Sequence, residues 1–257
     1  MPRSREKGPW FWRSMIAAMV ASVFGMFAVA AFSAPPPVDP ETNCRMDRHD
    51  PAHTIILIDQ SDPFGPNDVD WVRELLDGEA RTLPKHGRLT VMVPNASQPF
   101  DPARVYSACS TGSPDKANPI LSNPRMVADA WRTQFYDPLV ARVETEMKDT
   151  VAPASPLSEA LFAIADRADF QSGQRHRRLI VVSDLMQHSG DFSFYRTGAD
   201  FGAFRETRLA DRMPALDGVD VTARIVPREI YDLPMGEVKA FWRSYFRETG
   251  ATYGSLN

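Results

Sequence analysis

Four oxygen-bearing side chains, in three separate stretches of the chain, are the residues best suited to chemistry. Asp59 and Ser61 directly follow an apolar run, Ser155 precedes Pro-Leu-Ser-Glu-Ala-Leu, and Asp184 ends a second apolar run. Carboxylate and hydroxyl oxygens are hard ligands that suit Mg²⁺ or Mn²⁺. Magnesium keeps several of its waters, so a few protein oxygens are enough to hold it. These residues therefore predict a site for Mg²⁺ or Mn²⁺, provided that the fold brings them together.

The predicted secondary structure places these residues at one edge of a sheet. Residues 53–59 and 178–184 are apolar throughout and end in Asp, a pattern typical of buried parallel strands. Further strands are predicted at 88–93, 104–109 and 219–226, and helices near 69–76, 123–148, 155–168, 204–213 and 235–246, with Ser155 as an N-cap. This alternation predicts an α/β fold with a doubly wound, mainly parallel sheet and helices on both faces. In such sheets the functional crevice lies beyond the carboxyl ends of the strands.

At these residues the chain resembles the von Willebrand factor A domain family and its metal-ion-dependent adhesion site. That family has Asp-x-Ser-x-Ser after the first strand, a Thr before a Pro-Leu-Gly-Glu-Ala-Leu-like helix start, and an Asp at the tip of a later strand. The matching positions, within a resemblance that spans about residues 53–245, are Asp59, Ser61, Ser155 and Asp184. The resemblance implies a metal with one open position, which an Asp or Glu of a protein partner completes.

Several positions depart from the family pattern. Pro63 stands where the family has a third ligand, a Ser, and Pro offers no hydroxyl. Ser155 replaces Thr, and Leu185 follows Asp184 where the family usually has Gly. Five strands are predicted, against the usual six. The implied site is therefore a degenerate one, and the implied function is recognition of a partner.

Two other classes of function remain open. The first is an extracytoplasmic hydrolase that uses the same crevice; it would need a Ser, a His base and an acid, and His188 follows Asp184 closely. The second is a structural subunit of an envelope assembly with a vestigial metal site. The sequence contains no Gly-x-Ser-x-Gly elbow, no Gly-rich phosphate loop and no Cys/His cluster. It therefore favours binding over catalysis.

The segment 189–202, which follows the third stretch, is rich in aromatic residues. Phe192, Phe194, Tyr195 and Phe201 stand there among Gly, Ser and Asp. Exposed aromatic residues dominate the energy of many interfaces, so the segment could bind a partner. The alternative interpretation is that these rings cover the edge of the sheet.

A long apolar segment lies near the N-terminus. Residues 15–34 contain no charge and no Pro, and as a helix they match the thickness of the hydrocarbon core. Residues 1–14 carry four basic side chains against one acidic one, and such a flank stays in the cytoplasm. We therefore expect a single-pass inner-membrane anchor, a Pro-rich spacer over 35–50, and a periplasmic domain over 51–257. The alternative is a signal peptide with its cleavage site at Ala28-Val29-Ala30, which would release the domain into the periplasm.

The chain has two cysteines, Cys44 and Cys109. In an oxidising compartment two cysteines of one small domain often pair, and we expect a disulfide that acts as a staple. Two separate buried thiols are the alternative.

Composition restricts the partner class. Of the 257 residues, 43% are apolar and 24% charged, which is globular, and the formal net charge is −4. Nucleic-acid binding calls for a basic surface, so we expect a protein partner in the cell envelope and no nucleic acid.

Overall fold

The computed structural model describes residues 8–32, 36–47, 51–118, 122–149, 152–171, 176–226 and 233–256, and the chain divides into two compact units, Met1–Pro37 and Val38–Asn257. The first unit contains helix α1 (Pro9–Phe32). This helix is long and apolar enough to cross a membrane, a property that signal sequences share. It begins before the predicted residue 15, because Pro9 suits the first position of a helix. Residues 33–35, at the end of the predicted span, lie outside the described residues.

The second unit is built on a six-stranded sheet with the order β3-β2-β1-β4-β5-β6. The strands are β1 (His53–Ile58), β2 (Arg88–Val93), β3 (Ala103–Cys109), β4 (Arg177–Ser183), β5 (Val219–Ile225) and β6 (Thr252–Leu256). Only the β2–β3 pairing is antiparallel, and β3 forms one edge. The chain builds outward from β1 in one direction and then crosses to β4, which is the doubly wound order. The predicted α/β class with a mainly parallel sheet is confirmed.

Strand β6 makes the prediction of five strands wrong. Its segment is short and has Gly254 in its interior, and a Gly weakens the sequence signal of a strand. It pairs with β5 through a register that shifts between Val221 and Thr222. The ring of Tyr253 stacks on Phe246 of the last helix at 5.1 Å between centroids, so tertiary packing supports this edge.

Helices lie between the consecutive strands, except that β2 leads directly into β3. They are α2 (Pro66–Thr82), α3 (Pro124–Trp131), α4 (Asp137–Asp149), α5 (Leu157–Ala165), α6 (Phe194–Thr197), α7 (Phe201–Arg205) and α8 (Met235–Glu248). A π-helical turn over Arg132–Tyr136 joins α3 to α4, so the long predicted helix is confirmed, and Asn123 caps it by accepting from two backbone amides. The helix predicted near 204–213 is wrong. There α7 ends early and the chain turns, so that Phe204 and Leu209 both enter the same core.

Two hydrophobic cores lie on opposite faces of the sheet. Alternate residues of β1 enter each of them, Ile55 and Leu57 on one side and Ile56 and Ile58 on the other. Helices α5, α7 and α8 contribute to the first core, and α2, α3 and α4 to the second. By the same alternation Asp59, the residue after β1, falls on the side of α5.

Cys44 and Cys109 form the predicted disulfide. The carbonyl oxygen of Thr42 also accepts a hydrogen bond from the Cys109 amide at 2.7 Å, so the turn around Cys44 is held on β3. Cys109 pairs with Arg88, the first residue of β2. The staple therefore lies at the amino ends of the parallel strands, at the end of the sheet opposite to Asp59. Residues 48–50, within the predicted spacer, lie outside the described residues.

Candidate functional site

The ends of β1 and β4 form the floor of the candidate site. These two strands are adjacent and parallel, and Ile58 lies opposite Val182. The residues that follow are therefore neighbours across the strand gap, and the amide of Asp59 donates to the carbonyl of Val182 at 2.8 Å. Asp59 and Asp184, which come from apolar runs more than a hundred residues apart in sequence, thus reach the same edge of the sheet.

The Asp59 carboxylate is the centre of the site. Its Oδ2 atom accepts hydrogen bonds from the Ser155 hydroxyl at 2.6 Å and from the Ser183 hydroxyl at 2.7 Å. Its Oδ1 atom accepts from the Ser61 amide at 3.1 Å. Only 4% of Asp59 is exposed, and burial raises the pKa of its carboxyl above the ordinary value of 3.8, against the opposing effect of these hydrogen bonds. A buried carboxylate of this kind is stabilised when it binds either a proton or a cation.

Asp184 lies beside Asp59 and is 6% exposed. Its Oδ1 atom accepts from the Met186 amide at 3.0 Å and lies 3.5 Å from the Ser183 hydroxyl. A single hydroxyl oxygen, that of Ser183, is therefore within 3.5 Å of both carboxylates. The two carboxylates therefore lie close together in one polar cluster.

Ser183 is a site residue that sequence reasoning missed. The available signal was its register, because the last residue of β4 falls opposite the residue after β1 and on the same face as Leu179 and Val181. Its hydroxyl also accepts from the Leu185 amide at 2.8 Å, which fixes its position.

Ser155 reaches Asp59 from the segment before α5. Its amide donates to the His188 carbonyl at 2.9 Å, and the His188 amide donates back to the Ser155 carbonyl at 2.8 Å. The predicted role of Ser155 as an N-cap is wrong, because Pro156 occupies the cap position of α5. The hydroxyl bonds instead to Asp59, a carboxylate that is buried and therefore in need of donors.

Ser61 and Pro63 lie in the loop between β1 and α2. Ser61 is half-buried, and its hydroxyl lies near enough to Asp59 to lower the pKa of that carboxyl. Pro63 is exposed. Of the four residues predicted to form the site, Ser61 and Ser155 each contact Asp59 directly, and Asp184 is joined to Asp59 through Ser183.

Leu185, directly after Asp184, has a left-handed backbone with φ of 67°. This conformation is rare for residues other than Gly. The side chain of Leu185 is buried in the first core, and its carbonyl accepts from the Trp242 indole at 2.8 Å. Packing therefore holds Leu185 in a backbone conformation that Gly would adopt without strain.

The donor set suits a hydrated, oxygen-bound cation. Among the described residues no group of three or more His, Cys, Asp or Glu side chains is placed to hold a metal ion. Two buried carboxylates with three serine hydroxyls near them are hard oxygen donors, and Mg²⁺ or Mn²⁺ can complete its shell with water. Asp59, Ser61, Ser155 and Asp184, with Ser183, are the residues that would hold it.

His188 is the histidine nearest to this site. Its Nδ1 atom lies 2.8 Å from the hydroxyl of Ser193, which is fully buried. A serine nucleophile has to meet its substrate, so this His–Ser pair offers no nucleophile to solvent. The pair ties the two arms of the 188–193 loop together.

The aromatic segment 189–202 divides between the core and the surface. Phe192 and Phe194 are buried against Phe241 of α8, with ring centroids 5.8 Å and 4.8 Å away. For these rings the interpretation as sheet cover is confirmed. Tyr195 is 53% exposed and packs edge-on against the His188 ring at 5.3 Å. It is the aromatic residue of this segment that faces solvent beside the site.

No known protein-family model matches this chain, and no curated protein is significantly similar to it.

Proposed function

We propose that the protein is a membrane-anchored, extracytoplasmic module of the von Willebrand factor A type that binds a protein partner through a divalent cation. Asp59, Ser61, Ser155 and Asp184 would hold Mg²⁺ or Mn²⁺. When bound, the ion would supply an open coordination position for a carboxylate of the partner. The observation that carries the proposal is the convergence of Asp59 and Asp184 on one hydroxyl, with Ser155 completing the cluster.

The architecture supports the resemblance on which this proposal rests. The sheet has six strands, the number usual in that family, and the candidate residues follow the strand and precede the helix that the family pattern requires. Leu185 adopts the left-handed conformation at the position where the family usually has Gly. The backbone geometry that a Gly would provide is thus present despite the substitution.

The chemistry of the site supports cation binding. Asp59 is buried with a raised pKa, and its partners are neutral hydroxyl and amide groups. Bringing a second carboxylate, Asp184, beside it adds repulsion when both are ionised. A divalent cation would offset the burial and the repulsion together.

Helix α1 supports a location at the inner membrane with the second unit in the periplasm. It has the length and composition of a span, and the basic residues that precede the apolar stretch favour retention of the N-terminus in the cytoplasm. The disulfide between Cys44 and Cys109 suits an oxidising compartment. Release of the domain by signal cleavage remains the alternative.

Metal binding is tested by titrating Mn²⁺ into the full-length protein in detergent and measuring free Mn²⁺ by electron paramagnetic resonance. We expect a single saturable site that Asp59→Asn and Asp184→Asn each weaken by at least about tenfold. Asp220→Asn is the matched control, because Asp220 is an exposed carboxylate on β5 near the other end of the same sheet. Equal Mn²⁺ affinity in all four proteins would refute the metal site.

Partner binding is tested by capture from envelope extracts, with and without a chelator. A partner that is retained only with Mg²⁺ or Mn²⁺, and lost in Asp59→Asn, supports the proposal. A partner that is insensitive to the chelator would favour the structural-subunit alternative. Turnover of ester or phosphate probes that disappears in Ser61→Ala would favour the hydrolase alternative.

A further inference from the structure

Gln187 joins two of the segments that carry the site. It is fully buried in the loop that follows Asp184. Its Oε1 atom accepts from the Ser158 amide at 2.9 Å, and its Nε2 atom donates to the Glu159 carboxylate at 3.0 Å. Ser158 and Glu159 belong to the first turn of α5, whose own cap residue Pro156 provides no side-chain acceptor. Gln187 therefore caps α5 from a distant part of the chain.

Glu159, which accepts the hydrogen bond from Gln187, is a buried acidic residue. Only 1% of it is exposed, and burial raises the pKa of its carboxyl. The Gln187 amide donates to it, the nearby Ser189 hydroxyl lowers its pKa, and the charge of Asp191 raises that pKa. Burying a carboxyl is unfavourable unless its hydrogen bonds are satisfied, so this pair holds a fixed geometry.

The segments joined by Gln187 are those that supply Ser155 and Asp184. Ser155 lies three residues before Ser158, and Asp184 lies three residues before Gln187. The same two segments are also joined by the backbone bridge between Ser155 and His188. Without the Gln187 contacts, the loop after β4 would remain joined to the start of α5 through that bridge and the core.

We propose that Gln187 and Glu159 are positioning residues of the metal site. Neither belongs to the proposed ligand set, and together they set the separation between the Ser155 hydroxyl and the Asp184 carboxylate. The inference rests on the proposed cation binding and goes beyond it, because it assigns the site's geometry to a buried pair outside the ligand set. Groups that orient ligands typically change metal affinity by about 10- to 100-fold when they are removed.

Three variants of the full-length protein in detergent test the inference. Gln187→Met has a similar length and removes the three side-chain hydrogen bonds, to the Ser158 amide, the Glu159 carboxylate and the Ser189 hydroxyl. Glu159→Leu removes the acceptor, whereas Glu159→Gln keeps an acceptor oxygen and removes the charge. For each variant the Mn²⁺ Kd is measured by electron paramagnetic resonance, and the melting temperature is measured in chelator.

We expect Gln187→Met and Glu159→Leu to weaken Mn²⁺ binding by about tenfold or more, and Glu159→Gln to remain within about threefold of the wild type. An unchanged Kd with a lowered melting temperature would show a purely structural role and overturn the inference. Equal loss in Glu159→Gln and Glu159→Leu would also overturn it, since charge and not position would then control binding. If Gln187→Met does not fold, the comparison of Glu159→Leu with Glu159→Gln tests the inference.

The wild type and Asp59→Asn separate this inference from the proposed function. If they bind Mn²⁺ equally, the proposed site is wrong, and the positioning role falls with it. If they differ while the Gln187 and Glu159 variants match the wild type, only the positioning role is wrong.

Discussion

The Ser155 hydroxyl donates a 2.6 Å hydrogen bond to the Asp59 carboxylate, although the two residues lie 96 positions apart in the chain. This contact joins the segment before α5 to the end of β1 in the interior of the protein. Both residues are buried, so the bond is shielded from water. It directly connects two of the three stretches that carry the candidate site.

Replacing Ser155 by Ala should destabilise the protein by about 2 kcal/mol, because a buried carboxylate loses a donor. Ser158→Ala is the matched control: Ser158 is equally buried and near in sequence, but among the described residues its hydroxyl has no hydrogen-bond partner. Removing that hydroxyl should change stability by less than about 0.5 kcal/mol or increase it slightly. Urea unfolding in chelator measures both, and equal effects would contradict the assigned contact.

Asp59→Asn should alter the pH dependence of stability. Burial raises the pKa of Asp59 in the folded state above 3.8, so the folded protein binds this proton more tightly than the unfolded chain does. The contribution is fully present below the unfolded pKa and is lost as pH rises through the folded pKa. In chelator, the free energy of unfolding of Asp59→Asn should therefore rise relative to that of the wild type from about pH 4 toward neutrality.

The measurement is a series of urea titrations across that pH range, with Asp220→Asn as the control that should show no such trend. Saturating Mn²⁺ at neutral pH should stabilise the wild type more than Asp59→Asn, because the variant binds the ion more weakly. A constant difference between Asp59→Asn and the wild type at all pH values would contradict the raised pKa.

Leu185 should respond unusually to truncation. Leu185→Ala removes a buried side chain and is expected to cost about 2–5 kcal/mol. Leu185→Gly removes slightly more, yet Gly tolerates the left-handed backbone that costs other residues about 1–2 kcal/mol. We therefore expect Leu185→Gly to be more stable than Leu185→Ala by about 1 kcal/mol.

Leu216 provides the comparison for this prediction. It is a buried loop residue in the same core, and it is not among the described residues with positive φ. The Leu216→Gly variant should be less stable than Leu216→Ala, because Gly loses more backbone entropy on folding. The same order of stability at both positions would count against the strain assigned to Leu185.

Removing the disulfide should destabilise the second unit. Cys44 and Cys109 are 65 residues apart, so the bond closes a long loop in the unfolded chain. A loss of about 2–4 kcal/mol is expected in the double variant Cys44→Ser/Cys109→Ser. Reductant should lower the urea midpoint of the wild type and leave that of the double variant in place. If reductant lowers the urea midpoint of the wild type and of the double variant equally, the disulfide is not the source of the stability difference.

Strands could be predicted from the sequence where an apolar segment is also buried on both faces of the sheet. The central residues of β1 and β4 are apolar because helices cover both faces of the sheet, and each strand is followed by a buried Asp. β6 was not predictable from periodicity, because Thr252–Leu256 is short, contains Gly254 and depends on α8 for its packing. Tertiary contacts decide such a segment.

The site was predictable in its carboxylates and less so in its hydroxyls. Asp59 and Asp184 follow from the rule that functional residues gather at the carboxyl ends of parallel strands. The role of Ser183 and the bonding of Ser155 to Asp59 depend on strand register and on the loop that pairs with residue 155. The Gln187–Glu159 contact depends on the same loop, and no local pattern marks it.

The position of the Cys44–Cys109 staple has a mechanical consequence. It attaches the incoming chain to the sheet at the level of Arg88 and His53, whereas Asp59 stands at the far end of β1, about 20 Å away along a six-residue strand. A pull between a tethered N-terminus and a molecule held at Asp59 would run along the strands. The interstrand hydrogen bonds would then carry the load together, in shear, so the sheet would resist opening one strand at a time.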